Sequence, residues 1–213
     1  MKYLLYPTLL LSISFAHAAT PVDGLYSTAF GGYSEMPNNL HKNVDGVVLS
    51  HANYTNGYNA GGSLGYQSNP MRYEAEVTYL QDKLQRFNIN NIKQTTPNGY
   101  NQAVLGMANV YYNLPVWIEP LQPDIGIGIG YAWVSSSFSS TGPNVGTLHY
   151  KASNNVFAYQ ARAGLTYNFA EDYALGIGYR YIITNKVHSL GKSFQANLAL
   201  GSITYRFDGI YYQ

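Results

Sequence analysis

A chain of 213 residues has room for one large all-β domain or two small ones. Only 11% of it is charged, 15% is aromatic with 22 tyrosines, there is no cysteine, and the net charge is +1, whereas an ordinary soluble domain carries about 25% charge. These values exclude a disulfide framework and a thiolate metal site, and they give no electrostatic case for nucleic acid as a partner. Mean hydropathy is −0.18, so Tyr, Gly, Asn and Ser fill the place of the missing charges, not aliphatic residues.

The chain opens with a secretory signal. Lys2 supplies the basic end, residues 4–15 the apolar stretch, and Ala16-His17-Ala18 the small-residue cleavage site, which assigns residues 1–18 to a signal peptide. Its removal takes Lys2 and leaves 11 basic against 11 acidic residues, a neutral chain. Two later stretches lack charge, 94–118 and 125–150, but prolines, asparagines and serines interrupt both. Neither offers the roughly 20 apolar residues of a spanning helix.

From there period 2 dominates. The first run, 25–33, has ambiguous parity: Leu25, Ala29 and Tyr33 compete with Tyr26 and Phe30 for the apolar face. Residues 61–67 set Gly62, Leu64 and Tyr66 against Ser63, Gly65 and Gln67. In the next run Tyr73, Ala75, Val77 and Tyr79 oppose Arg72, Glu74, Glu76 and Thr78. Ala108, Val110 and Tyr112 then oppose Met107, Asn109, Tyr111 and Asn113. The run PDIGIGIGYAW, 123–133, places Ile125, Ile127, Ile129, Tyr131 and Trp133 opposite Gly126, Gly128, Gly130 and Ala132. Residues 155–169 oppose Phe157, Tyr159, Ala161, Ala163, Leu165, Tyr167 and Phe169 to Ala158, Gln160, Arg162, Gly164, Thr166 and Asn168. In 173–181 Tyr173, Leu175, Ile177, Tyr179 and Tyr181 oppose Ala174, Gly176, Gly178 and Arg180. The last run closes with Ile203, Tyr205 and Phe207 opposite Ser202, Thr204 and Arg206. That makes eight candidate strands and a single domain over residues 19–207, with 208–213 as a short tail.

Short connections at 67–71 and 169–173, and a proline-stiffened one at 113–124, alternate with long polar segments at 34–57, 85–101, 135–154 and 183–194. Short turns on one side and long loops on the other is the pattern of an outer-membrane barrel. Tyrosines bound the apolar faces, as amphipathic rings do at headgroup depth. The polar face then lines a lumen that eight strands leave just wide enough for side chains to fill. Arg72, Glu74, Glu76, Arg162 and Arg180 all fall on that face. Unpaired charges there would be penalised, so a mutually hydrogen-bonded cluster is expected. It reads as structural packing of a plugged barrel, with an ion path or gate as the alternative. The glycines of 126–130 give those long charged side chains room; bulk there would collide with them, so Gly128→Leu should impair folding.

GYQSNPMRYEAEVTYL, ANVYYNL, PDIGIGIGYAW, FAYQARAGLTYNF, YALGIGYRY and a final GSITYRF resemble, in this order, the opacity-type and OmpA-like eight-stranded outer-membrane proteins, over about residues 24–207. The resemblance implies an all-β, eight-stranded antiparallel up-and-down barrel in the bacterial outer membrane, a surface antigen or adhesin. It also implies that Arg72, Glu74, Glu76 and Arg180 occupy inward charged positions. Tyr205-Arg206-Phe207 matches the closing-strand signal read by the barrel assembly machinery. The family usually ends at that phenylalanine, whereas this chain continues as DGIYYQ, and no peptidoglycan-binding domain is expected after it.

Catalysis finds little support. His41, His51, His149 and His188 fall in the polar segments, and none is followed by the His-x-Ser pattern of barrel deacylases. Glu74 and Glu76 share a face but would need an open cleft for hydrolysis. The Gly-x-Gly-x-Gly of 126–130 lacks the following helix of a dinucleotide loop. His41, Lys42 and Lys93 are too scattered for strong binding of sulfated glycans. The expectation is therefore a non-enzymatic barrel with no catalytic, cofactor or metal site, both termini periplasmic, membrane lipid around it and four long loops free to meet a host or surface ligand. A small pore, a lipid-modifying enzyme and a soluble lipocalin-like barrel are the alternatives.

Overall fold

The computed structural model describes residues 23–36, 41–44, 47–54, 57–89, 92–93, 98–115, 120–142, 145–187 and 192–207; residues 1–18 and the tail 208–213 lie outside them. Eleven strands are found among these residues: β1 (Gly24–Glu35), β2 (His41–Val44), β3 (Val47–Tyr54), β4 (Gly57–Ser68), β5 (Met71–Ile89), β6 (Ile92–Lys93), β7 (Asn98–Asn113), β8 (Leu121–Gly142), β9 (Val145–Asn168), β10 (Tyr173–Val187) and β11 (Lys192–Arg206). Eight of them close a ring, β1-β4-β5-β7-β8-β9-β10-β11, in which β11 pairs back onto β1 from Tyr26↔Arg206 to Glu35↔Asn197. Every pairing is antiparallel. Closure leaves no ladder edge within the ring, the condition for backbone to cross a hydrocarbon layer. No helix is long and apolar enough to cross a membrane among the described residues.

The alternation read from sequence places the faces. Ile127 is 71% exposed on the outside while Gly128 beside it is buried inside. The first strand resolves its ambiguity: Tyr26 and Phe30 point inward, Leu25 and Tyr33 outward. Outside, two rows of rings border the aliphatic band. Tyr66, Tyr73, Tyr112, Tyr167, Tyr173, Tyr205 and Phe207 ring the end with short turns; Tyr33, Tyr58, Tyr100, Tyr131, Trp133, Tyr159 and Tyr179 ring the other. Register aligns them, Tyr66 opposite Tyr73 and Tyr173 opposite Tyr205. From Tyr66 to Tyr58 the strand advances about 27 Å, which on a 40° tilt gives a band of roughly 20 Å, close to that of outer-membrane barrels. Ile127→Lys, near the middle of this band, is expected to lower the unfolding free energy in bilayers by about 2–4 kcal/mol. Urea titration in lipid vesicles measures it.

The long polar segments are not loops throughout. β8 and β9 continue as a hairpin until Gly142 pairs with Val145, β10 and β11 pair up to Val187↔Lys192, and β2 and β3 extend the ladder beside the far end of β5. Above the bilayer both faces of such a hairpin meet water, so Ser, Thr and Asn serve either face and no alternation marks the strand.

Candidate functional site: the barrel interior

The inward residues of β5, Arg72, Glu74, Glu76, Thr78, Leu80 and Asp82, climb the interior from the periplasmic end and meet a different environment at each step. At the bottom Arg72 Nη2 lies 3.1 Å from Asp124 Oδ1, and Arg162 Nε lies 3.9 Å from the same oxygen. Both guanidiniums also sit against the ring of Tyr111, 5.2 and 5.1 Å from its centroid. Arg206, nearer the mouth, donates to Asn168 Oδ1 at 2.5 Å and to the Glu171 carbonyl at 3.3 Å.

One step up, Glu74 accepts a 2.7 Å bond from the Tyr26 hydroxyl. Above it Glu76 is the hub of the interior. It accepts from Arg180 Nη1 at 2.5 Å, from Thr78 Oγ1 at 2.6 Å and from Asn109 Nδ2 at 2.9 Å. Gln160 in turn donates to Asn109, and Arg180 rests its guanidinium 4.8 Å over the ring of Phe30. Arg180 and Glu76 have no accessible side-chain surface. A charge so placed is tolerable only because its partner and further donors surround it.

The structure brings Arg72, Glu74, Glu76, Arg162 and Arg180 into one interior, but in tiers. Arg180 pairs with Glu76, Arg72 and Arg162 share Asp124, and Glu74 takes a tyrosine instead of an arginine. Asp124, the anchor of the lower tier, is absent from the sequence-level set. Its signal was parity: it shares the face of Gly126, Gly128 and Gly130, but Pro123 made it look like the end of a connection. With Asp82, which accepts from Ser34, and Arg206, the described inward charges are four arginines against four carboxylates.

The glycine face of β8 also needs correction. A Cβ on Gly126 would strike the Tyr111 ring, one on Gly128 the Asn109 amide and the Gln160 side chain, and one on Gly130 the Gly106 carbonyl and Met107. The space directly over these glycines is claimed by neutral groups of the flanking strands, and Arg162 reaches across β8 only to lie against the Tyr111 ring and near Asp124.

Above the charged tiers the interior becomes apolar, contrary to the expectation of a polar lumen throughout. Leu80, Leu105, Ile182, Phe194 and Leu198 have no accessible surface, and Met36, Met107, Ala132, Val134 and Ala158 complete the cluster. Tyr79 and Val104 stand opposite each other on the outside at this height, so the apolar layer fills the barrel at the level of the extracellular ring of tyrosines. Asp82 and Ser34 lie just beyond it.

The remaining sequence candidates lie apart. Tyr205 and Phe207 face outward at the periplasmic rim with rings 5.2 Å apart, and the Phe207 amide bonds the Leu25 carbonyl at 2.9 Å. His41, His51 and His149 stand on β2, β3 and β9, on strands and not in loops, and His188 lies outside the described residues. No group of three metal-ligating side chains occurs among the described residues.

Comparison with known proteins agrees with this architecture. A family model described as outer membrane protein beta-barrel domain matches residues 5–207. An outer membrane protein of Gluconacetobacter diazotrophicus is 28% identical over 88% of this chain and 53% of its own length. An uncharacterized protein of Brucella abortus is 32% identical over 40% of this chain and 31% of its own. The chain thus spans about half, or less, of the length of these curated relatives. Among solved structures, Neisserial surface protein A superposes with a TM-score of 0.59 at 16% identity, covering 86% of this chain and 97% of that one. OprG from Pseudomonas aeruginosa gives 0.56 at 10% identity, covering 88% and 98%. At these identities the likeness concerns the fold.

Proposed function

The chain belongs to the outer membrane β-barrel domain family and resides in the bacterial outer membrane, and on that premise we propose that it is a sealed, non-enzymatic surface barrel. Its role is structural, or recognition of a host or surface ligand by the extracellular hairpins. The observation that carries this reading is the apolar layer of Leu80, Leu105, Ile182, Phe194 and Leu198 stacked on the Glu76–Arg180 pair. An ion crossing the barrel would have to shed its water against hydrocarbon, the means by which hydrophobic constrictions close pores. The charged tiers below act as packing: Arg72, Glu74, Glu76, Arg162 and Arg180 hold opposite walls of the ring together.

The same geometry argues against hydrolysis. Glu74 and Glu76 are buried and engaged by Tyr26, Arg180, Thr78 and Asn109, which leaves no room for an activated water beside them. Residues 1–18 export the chain, and Tyr205 and Phe207 present the closing-strand signal to the assembly machinery. Planar-bilayer recording of the refolded protein is expected to show no steady conductance. Steady open channels would overturn the sealed barrel in favour of the small pore, and altered lipid A on overexpression would favour the enzyme.

A further inference from the structure

The outer wall of the barrel is not uniform. On β4, β5, β9 and β10 the two aromatic rows stand six or eight residues apart, from Tyr58 to Tyr66, Tyr73 to Tyr79, Tyr159 to Tyr167 and Tyr173 to Tyr179. On β7 the interval is twelve, from Tyr100 to Tyr112. Tyr100 pairs with Lys83, four residues beyond Tyr79, so the extracellular row steps upward at this strand. In the place of a ring β7 carries Gly106, exposed and set between Val77 on β5 and Tyr131 on β8. A Cβ there would meet nothing within 4 Å. From this gap an apolar groove opens on the lipid side, lined by Gly62, Leu64, Ala75, Val77, Gly106 and Ala108. On β8 the same face is filled by Ile125, Ile127 and Ile129.

The groove has a polar head. Two alternations above Val77 and Gly106, Gln81 and Gln102 face outward side by side, in register with each other and with Tyr58. The hydroxyls of Tyr58 and Tyr79 donate to Gln81 Oε1 at 2.9 and 2.8 Å, and the Tyr79 hydroxyl lies 3.4 Å from Gln102 Oε1. Both amide oxygens are thus turned to tyrosines. The Nε2 donors are left over, with no acceptor among the described residues. At the edge of a hydrocarbon layer a donor without an acceptor is penalised. From Gln102 to Gly106 the strand advances about 13 Å, roughly 10 Å in height on a tilted barrel. An acyl chain whose carbonyl meets the amides therefore has its methylenes at the gap.

We propose that the outer wall of β4, β5 and β7 is a binding site for one molecule of the outer-leaflet glycolipid. A carbonyl oxygen at the head of an acyl chain accepts from Gln81 and Gln102, and the chain passes the gap at Gly106, between Tyr79 and Tyr131, into the groove. The amides stand at the extracellular end, which selects the outer leaflet. Their donors are neutral, so they recognise an acyl carbonyl and need no charge on the lipid. The site lies on the outer wall, and its occupancy does not depend on whether the lumen is sealed.

Refolded protein in neutral detergent micelles, titrated with lipid A and separately with a diacyl phosphatidylethanolamine, tests this by native mass spectrometry. Wild type should hold one lipid A molecule and prefer it to the phospholipid. Gly106→Leu, which fills the gap, and Q81L/Q102L, which removes the donors, should each bind lipid A roughly 10-fold more weakly. Leu175→Phe, on the lipid face of β10, should bind as wild type does. Equal affinity of wild type for both lipids would make this face ordinary lipid contact and overturn the site. So would wild-type affinity in either Gly106→Leu or Q81L/Q102L, or an equal loss in Leu175→Phe. If Gly106→Leu loses the heat-modifiable mobility of a folded barrel, Ala108→Leu, one alternation below it in the groove, takes its place with the same expected loss.

Discussion

Glu76→Leu is expected to lower the unfolding free energy by about 3–5 kcal/mol, the range for breaking a buried ion pair from one side. The substitution leaves the Arg180 guanidinium fully enclosed with only Thr78 Oγ1, 3.3 Å away, and the face of Phe30 as partners. Arg180→Met should cost less, because Glu76 retains the bonds from Thr78 and Asn109. The double variant E76L/R180M should recover most of the loss, since two apolar groups in place of a buried pair are often neutral. Urea unfolding followed by tryptophan fluorescence in lipid vesicles measures all three. If R180M proves costlier than E76L, Arg180 rather than Glu76 is the hub, and the assignment of the interior fails.

The glycine face of β8 gives the second large effect, and its hierarchy is more telling than its size. Gly130→Ala should destabilise more than Gly128→Ala. The new Cβ at 130 meets the Gly106 carbonyl oxygen and, 2.8 Å away, Met107 Cα, which cannot yield without moving β7. At 128 the obstacles are the amide end of Asn109 and Gln160 Cγ, 3.0 Å away. Overpacking of this kind costs about 1–3 kcal/mol for a small addition. Gly128→Leu, adding three further carbons, should abolish the folded, heat-modifiable form. Gly106→Ala is the control: a Cβ there meets nothing within 4 Å, so it should be neutral or stabilise by a few tenths of a kcal/mol. A folded Gly128→Leu barrel would mean that the glycines face lipid and the isoleucines the interior.

Legibility in the sequence followed contrast between the two faces. Where lipid lies on one side and hydrogen-bonding groups on the other, as in β5 from Arg72 to Tyr79 or β10 from Tyr173 to Arg180, period 2 assigns every side chain. It fails wherever the faces become alike. Ser27, Thr28, Gly31 and Gly32 give β1 almost no hydropathic contrast, and its parity is settled only by where Tyr26 and Phe30 fit. Near the extracellular ring of tyrosines, Leu80, Leu105, Ile182 and Leu198 are apolar on the inside as well, so alternation fades where the barrel is sealed. Above it both faces are wet, and the β8–β9 hairpin reads as loop. Partner choice inside the lumen lies beyond periodicity altogether. That Arg180 on β10 meets Glu76 on β5, across the barrel, and that Arg72 finds Asp124, depends on strand register around a closed ring.

Because the chain has no cysteine, single cysteines introduced one at a time from Val104 to Val110 on β7 can each carry a nitroxide without background labelling. Collision with oxygen and with a water-soluble nickel complex, measured in lipid vesicles, then reports lipid, water or packed protein at each position. A sealed barrel predicts oxygen maxima at 104, 106, 108 and 110. It predicts low accessibility to both reagents at 105 and 107, which lie within the apolar layer. High nickel accessibility at Leu105 or Met107 would show water running through the barrel and contradict the account.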